Sequence, residues 1–133
     1  MKKLLAGLIS LGLIFSISAN AGSKNQKEIE KQIIQIAGKY GCLTCHDIDK
    51  PKNSVPFRVI AKEYQGKPDA VKSLVTSIKY ASFAKWQKIG PEKYGMKPRA
   101  IYMPRQRSIP VEEAEKVVKL ILSLDTSKVK VKK

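Results

Sequence analysis

The chain holds two cysteines and one histidine, and all three fall within five consecutive residues, Cys42-Leu43-Thr44-Cys45-His46. That concentration limits what can tie the fold together. A structural zinc site usually needs four Cys or His ligands, and the rest of the chain offers none. A thioredoxin-like redox pair calls for a strand before the cysteines and a helix after them, whereas the segment before Cys42 has helical spacing. A plain structural disulfide between Cys42 and Cys45 leaves His46 without a purpose.

The start of the chain supplies the context. Lys2 and Lys3 precede an apolar run from Leu4 to Ile17, and Ala19-Asn20-Ala21 forms a small-x-small cleavage signature. These are the three zones of a secretory leader. Cleavage is expected after Ala21, leaving one domain over residues 22–133. The apolar run is shorter than the roughly 20 residues of a spanning helix, which favours a leader over a retained anchor, and no second apolar run is long enough to span. The expected location is the bacterial periplasm, with no integral membrane segment after cleavage. The whole chain carries a formal +15, and loss of Lys2 and Lys3 leaves +13. On a cytosolic chain that charge would point to nucleic acid. Export argues against it and leaves an acidic protein surface or anionic lipid headgroups as partners. The alternative is a solvated lysine surface.

In an exported chain, C-x-x-C-H is the attachment motif of c-type haem. Two thiols three positions apart on a helical turn can both reach the porphyrin vinyl groups, and the adjacent imidazole then points at the iron. One motif implies one haem, held covalently by Cys42 and Cys45 with His46 as an axial ligand. His46 is the sole histidine, so bis-histidine ligation within the chain is excluded. Met96 and Met103 are the methionines that survive cleavage. Met103 is favoured as the second axial ligand, because Pro104 stiffens its backbone and it lies just before the last helix. Met96 reads as loop packing. A lysine ligand or an open iron site are the other choices.

The remaining sequence predicts helices. Ile29, Ile33, Ile36, Ala37 and Tyr40 give helical spacing over Lys27–Tyr40, with Gly41 as a stop. Pro56 precedes a short helix over Phe57–Tyr64. Asp69 is placed to cap a helix reaching Tyr80, with Val71, Leu74, Val75 and Ile78 on one face. Residues 82–108 show neither helical nor alternating periodicity, and irregular segments of this length are usually functional. A final helix beginning near Pro110 carries Val111, Ala114, Val117, Val118, Ile121 and Leu124 on an apolar stripe. Residues 126–133 are expected to fray. The expected class is all-α, about four short helices around one haem, which substitutes for side chains that so small a core would otherwise need.

Taken together, the helix running into CLTCH, Pro56, the helix ending in KEYQGK, Trp86, Met103-Pro104 and the closing amphipathic helix resemble the small bacterial class I cytochromes c. The resemblance spans roughly Ile29 to Leu124. It implies a monohaem electron carrier with His46-Met103 coordination, crossing terminal helices and one exposed haem edge. It further implies that the carbonyl of Pro56 accepts a hydrogen bond from His46 and that Trp86 lies near a haem propionate. The chain departs from the family pattern at Val55-Pro56, where Gly-Pro is usual, at Arg105, where a second proline is usual, and in a longer loop before Met103.

The expected function is therefore one-electron transfer between redox proteins, not enzymatic catalysis. Lys85, Lys88, Lys93, Lys97, Arg99, Arg105 and Arg107 are expected to surround the electron exit and steer an acidic partner. A dedicated haem subunit of a periplasmic oxidoreductase, or a gas-binding sensory haem protein with an open iron site, are the alternatives.

Overall fold

The computed structural model describes residues 14–133, with side chains from Asn25 onward. Residues 1–13 of the expected leader lie outside the described residues. Among the described residues, no helix is long and apolar enough to cross a membrane.

Helix α1 runs from Ile14 to Lys39, well before the expected start at Lys27. No proline interrupts residues 14–27, so the backbone continues as helix without a stop. Ile29, Ile33 and Ala37 recur every fourth residue and are buried, which sets one stripe of α1 against the core. Helix α2, Phe57–Tyr64, has the expected bounds, and Pro56 stands just outside it. Helix α3, Ala70–Tyr80, has Asp69 at its N-cap position, but the Asp69 side chain makes no capping hydrogen bond.

The closing helix, Val111–Leu122, has Pro110 as its extended N-cap residue and buries Ala114, Val117, Val118 and Ile121. It packs against the N-terminal helix, α2 and α3. The three-sided contact accounts for the burial of the adjacent pair Val117 and Val118. By contrast α3 buries only Ala70 fully. Leu74 and Ile78 stop at partial burial because they face a cavity.

Residues 82–108, read from sequence as irregular, contain defined elements. Strands β1, Ser82–Phe83, and β2, Tyr102–Met103, form a two-stranded antiparallel ladder with Ser82 opposite Met103 and Phe83 opposite Tyr102. Helix α4, Lys85–Ile89, leads into a wide π-helical turn over Gly90–Tyr94. With α4 placed, the closing helix is α5. Strands of two residues carry too little alternation to register as a period, and their pairing depends on residues twenty apart in sequence. Ala81 and Ala84, at φ 82° and 54°, bracket β1 in left-handed backbone, which alanine adopts only against steric resistance. Glycine is required at position 90, where a Cβ would collide with the Met96 carbonyl oxygen.

In the C-terminal segment, expected to fray, residues 127, 128 and 130–133 are exposed while Thr126 and Val129 touch the body of the protein. Thr126 is buried, and its hydroxyl donates to Gln65 Oε1 at 2.9 Å. Val129 packs on the core, and the Lys132 N–H donates to the Lys93 carbonyl at 2.8 Å. Lysine content suggested a solvated tail, but Thr126 and Val129 supply the anchors.

Beneath this strap lies a buried carboxylate. Glu63 on α2 accepts hydrogen bonds from Tyr94 Oη at 2.7 Å, Lys93 Nζ at 2.8 Å and Lys67 Nζ at 3.1 Å. Burial by itself raises its pKa, but the three donors reverse that and hold it at about 2. Burial and the same carboxylate push the Tyr94 hydroxyl up from its ordinary value. The cluster fastens the π-helical turn to α2.

Candidate functional site

The site begins where α1 ends. Gly41 takes left-handed backbone, φ 77°, and turns the chain into a 3-10 turn over Cys42–Thr44. The N–H groups of Cys45 and His46 both donate to the Cys42 carbonyl, at 3.2 and 3.0 Å. One turn of tight helix therefore carries both cysteines and delivers His46 directly after them. Both thiols are free and half-buried, and burial pushes the Cys42 thiol up.

His46 is 7% exposed. Its Nδ1–H donates to the Val55 carbonyl at 2.8 Å, and its ring stacks on Phe57, with centroids 5.0 Å apart and planes 19° apart. Burial lowers its pKa below the ordinary histidine value despite the Val55 hydrogen bond, which acts in the opposite direction. The imidazole is thus held neutral, with Nδ1 protonated and the Nε2 lone pair available as a ligand. A backbone acceptor of this kind orients a ligating imidazole.

The acceptor corrects one expectation. The resemblance assigned it to Pro56, but the Pro56 carbonyl faces the first turn of α2, where it accepts from the N–H groups of Val59 and Ile60, both at 3.1 Å. As the N-cap residue of α2, Pro56 has its oxygen committed to the helix. Its contribution is to start α2, and so to place Phe57 against His46.

Two contiguous cavities of about 240 and 90 Å³ open beside this turn, and both are lined by Cys42, His46, Ser54, Ser82, Lys85, Trp86 and Met103. Leu74, Ile78, Val117 and Ile121 close the apolar side of the smaller one. The ladder accounts for Met103: Phe83 and Tyr102 are the exposed members of their strands, while Ser82 and Met103 are the partly buried pair. Met96 lies elsewhere, lining a separate cleft with Arg58, Tyr94 and Val129. Trp86 sits on the cavity wall and tilts against Tyr94, with centroids 6.3 Å apart.

The donor set fits a covalently held haem. Two unpaired thiols three positions apart, a neutral imidazole and a thioether border one apolar space, and basic Lys85 stands at its edge. Cys42, Cys45, His46 and Met103 are brought together; Trp86 joins the wall; Pro56 does not. Sequence reasoning missed Val55 and Phe57, which fix the imidazole, and Ser82, which pairs with Met103. Phe57 could have been found from its position one residue after the helix-starting proline. Val55 acts through its backbone and left no side-chain signal.

A long N-terminal helix crossing a closing helix, with C-x-x-C-H on the turn between α1 and α2, is the architecture of the small class I c-type cytochromes. The chain is similar to them in sequence as well as in fold. It is 36% identical over 52 residues to cytochrome c-552 of Hydrogenobacter thermophilus, a match covering 39% of this chain and 53% of that protein. The match thus spans about half the length of that relative. Among solved structures, cytochrome c552 of Nitrosomonas europaea aligns with a TM-score of 0.57 at 25% identity, covering 68% of this chain and 98% of that one. Class 1 cytochrome MtoD of Sideroxydans lithotrophicus ES-1 shares the fold, with a TM-score of 0.51 at 23% identity, 68% of this chain and 90% of that one being covered. No family model matches the chain.

Proposed function

We propose that this protein is a periplasmic one-electron carrier with a single covalent haem c, exported by a leader cleaved after Ala21. The convergence of Cys42, Cys45, His46 and Met103 on one apolar cavity carries this reading. The bound group would supply an iron that changes oxidation state by one electron. Cys42 and Cys45 would hold it through thioethers, and His46 and Met103 would be its axial ligands. The Val55 carbonyl and the Phe57 ring hold the imidazole in one tautomer and one plane, so little has to rearrange when an electron arrives or leaves. With His46 and Met103 both ligating it, the iron would offer no place to a substrate, which is the condition of a carrier. A thioether ligand raises the reduction potential relative to a second nitrogen ligand.

The partners are redox proteins. From Lys79 to Arg107 the chain carries Lys79, Lys85, Lys88, Lys93, Lys97, Arg99, Arg105 and Arg107 against the single acid Glu92, a charge pattern that steers an acidic surface toward Met103.

The decisive experiment is mass and optical spectroscopy of the exported protein. The mass should equal the chain from Gly22 plus one haem that acid-acetone does not extract, and the reduced protein should show a low-spin c-type spectrum indifferent to carbon monoxide. Extractable haem removes the covalent assignment. A carbon monoxide response without denaturation removes the closed coordination shell and favours a gas-binding role.

A further inference from the structure

The outer face of the β1–β2 ladder carries exposed aromatic rings that holding the haem does not require. Phe83 and Tyr102 stand directly opposite each other on it, 75% and 53% exposed, Tyr102 also bordering the larger cavity. Large apolar side chains this exposed and this close together normally mark a contact surface. Phe83 lines none of the described cavities and clefts; it projects from the surface. The exposed Arg99, Arg105 and Arg107 lie within four residues of β2, and no acid lies that near either strand; Lys79 and Lys85 are partly buried and donate to the Ile109 carbonyl and to Ser77 Oγ.

We propose that this ladder is a docking surface for an anionic phospholipid bilayer, with Phe83 and Tyr102 entering the headgroup region and the flanking cations resting on lipid phosphates. A protein partner would need a pocket shaped to receive a protruding phenyl ring. A bilayer interface accepts an apolar protrusion without a matching cavity, places aromatic rings at headgroup depth, and attracts a flank of one sign. Each cation near an anionic surface adds a modest attraction that decays within a Debye length, so the aromatic pair supplies the part of the binding that salt does not remove. A carrier held this way diffuses in two dimensions along the membrane.

The test is cosedimentation of the haem-loaded protein with sucrose-filled vesicles of phosphatidylglycerol and phosphatidylethanolamine, with phosphatidylcholine vesicles as the neutral control. Pelleted protein is read from the haem absorbance, after mass spectrometry has confirmed haem attachment so that failure of loading is not mistaken for failure of docking. Wild-type protein should pellet with the anionic vesicles and not with the neutral ones at 0.1 M salt, roughly one Debye length of 10 Å. Phe83→Ser should weaken partitioning about fivefold with an unchanged spectrum. Arg99→Gln with Arg105→Gln should flatten the salt dependence. If Phe83→Ser binds as wild type does, charge alone accounts for the binding and the aromatic docking surface is wrong. If wild type ignores anionic vesicles while Phe83→Ser slows electron delivery to a detergent-solubilised acceptor, the surface belongs to a protein partner and the proposal is overturned.

Discussion

Replacing Glu63 with glutamine should destabilise the protein in a way that depends on pH, and the structure sets both size and sign. A carboxyl held at about 2 in the folded chain instead of 4.5 in the unfolded one corresponds to ~3 kcal/mol of stability at neutral pH. Two of the donors, Lys93 and Lys67, have side chains 48% and 53% exposed, so solvent screening reduces the charge contribution and an effect of ~2 kcal/mol is expected. Glutamine can keep the Tyr94 hydrogen bond through its carbonyl, which isolates the charge from the contact. Because the folded pKa is depressed, the stabilisation is complete above the unfolded value and disappears as pH falls from about 4.5 to about 2. The assay is urea unfolding of the haem-loaded protein at pH 7, 4 and 2.5; urea is chosen because guanidinium chloride would screen the lysines. Wild type should exceed Glu63→Gln by ~2 kcal/mol at pH 7, and the two curves should converge toward pH 2. A constant offset across that range would show that the carboxylate charge is not the source, and equal stability at pH 7 would refute the cluster as a fastener.

Other consequences are open to direct measurement. Met103→Ala should abolish the far-red charge-transfer band of the oxidised protein, lower the reduction potential and admit carbon monoxide, whereas Met96→Ala should leave all three unchanged, since Met96 lines a different cleft from His46. Ending the chain after Asp125 removes the Thr126–Gln65 and Lys132–Lys93 hydrogen bonds and should lower the thermal midpoint by ~5 °C in calorimetry, while a freely frayed tail would give no change. Ile33→Ala should cost ~3 kcal/mol in urea unfolding, because its side chain has no exposure and belongs to the buried core.

The end of α1 and the positions of α2, α3 and α5 were legible because their signals are local. The Ile29-Ile33-Ala37 repeat, the proline ahead of Phe57 and the Val117-Val118-Ile121 stripe each specify an element without reference to the rest of the chain. The same holds for Cys42, Cys45 and His46, whose meaning lies in their adjacency. What escaped was assembled over distance. The ladder joins Ser82 to Met103 through backbone bonds, the strap depends on Thr126 finding Gln65, and Glu63 gathers donors from Lys67 nearby and from Lys93 and Tyr94 thirty residues away. Leu74 and Ile78 were correctly placed on one face of α3, but their partial burial records a cavity that periodicity does not describe.

The Val55 carbonyl carries a consequence for how such sites diverge. An acceptor that belongs to the main chain cannot be deleted by exchanging a side chain, so the Val55 side chain, 1% exposed in the core, answers to packing and the path of the loop and not to the hydrogen bond. Another apolar side chain can stand at position 55 without disturbing the imidazole, provided that Ser54 still donates to the Cys45 carbonyl and Phe57 to the Asp47 carbonyl, each through its N–H, at 2.9 and 2.8 Å. Those two bonds pin the loop on either side of residue 55. An apolar exchange at position 55 should accordingly leave the histidine in place, whereas an insertion or deletion between Asp47 and Phe57, silent in any comparison of side chains, would turn it.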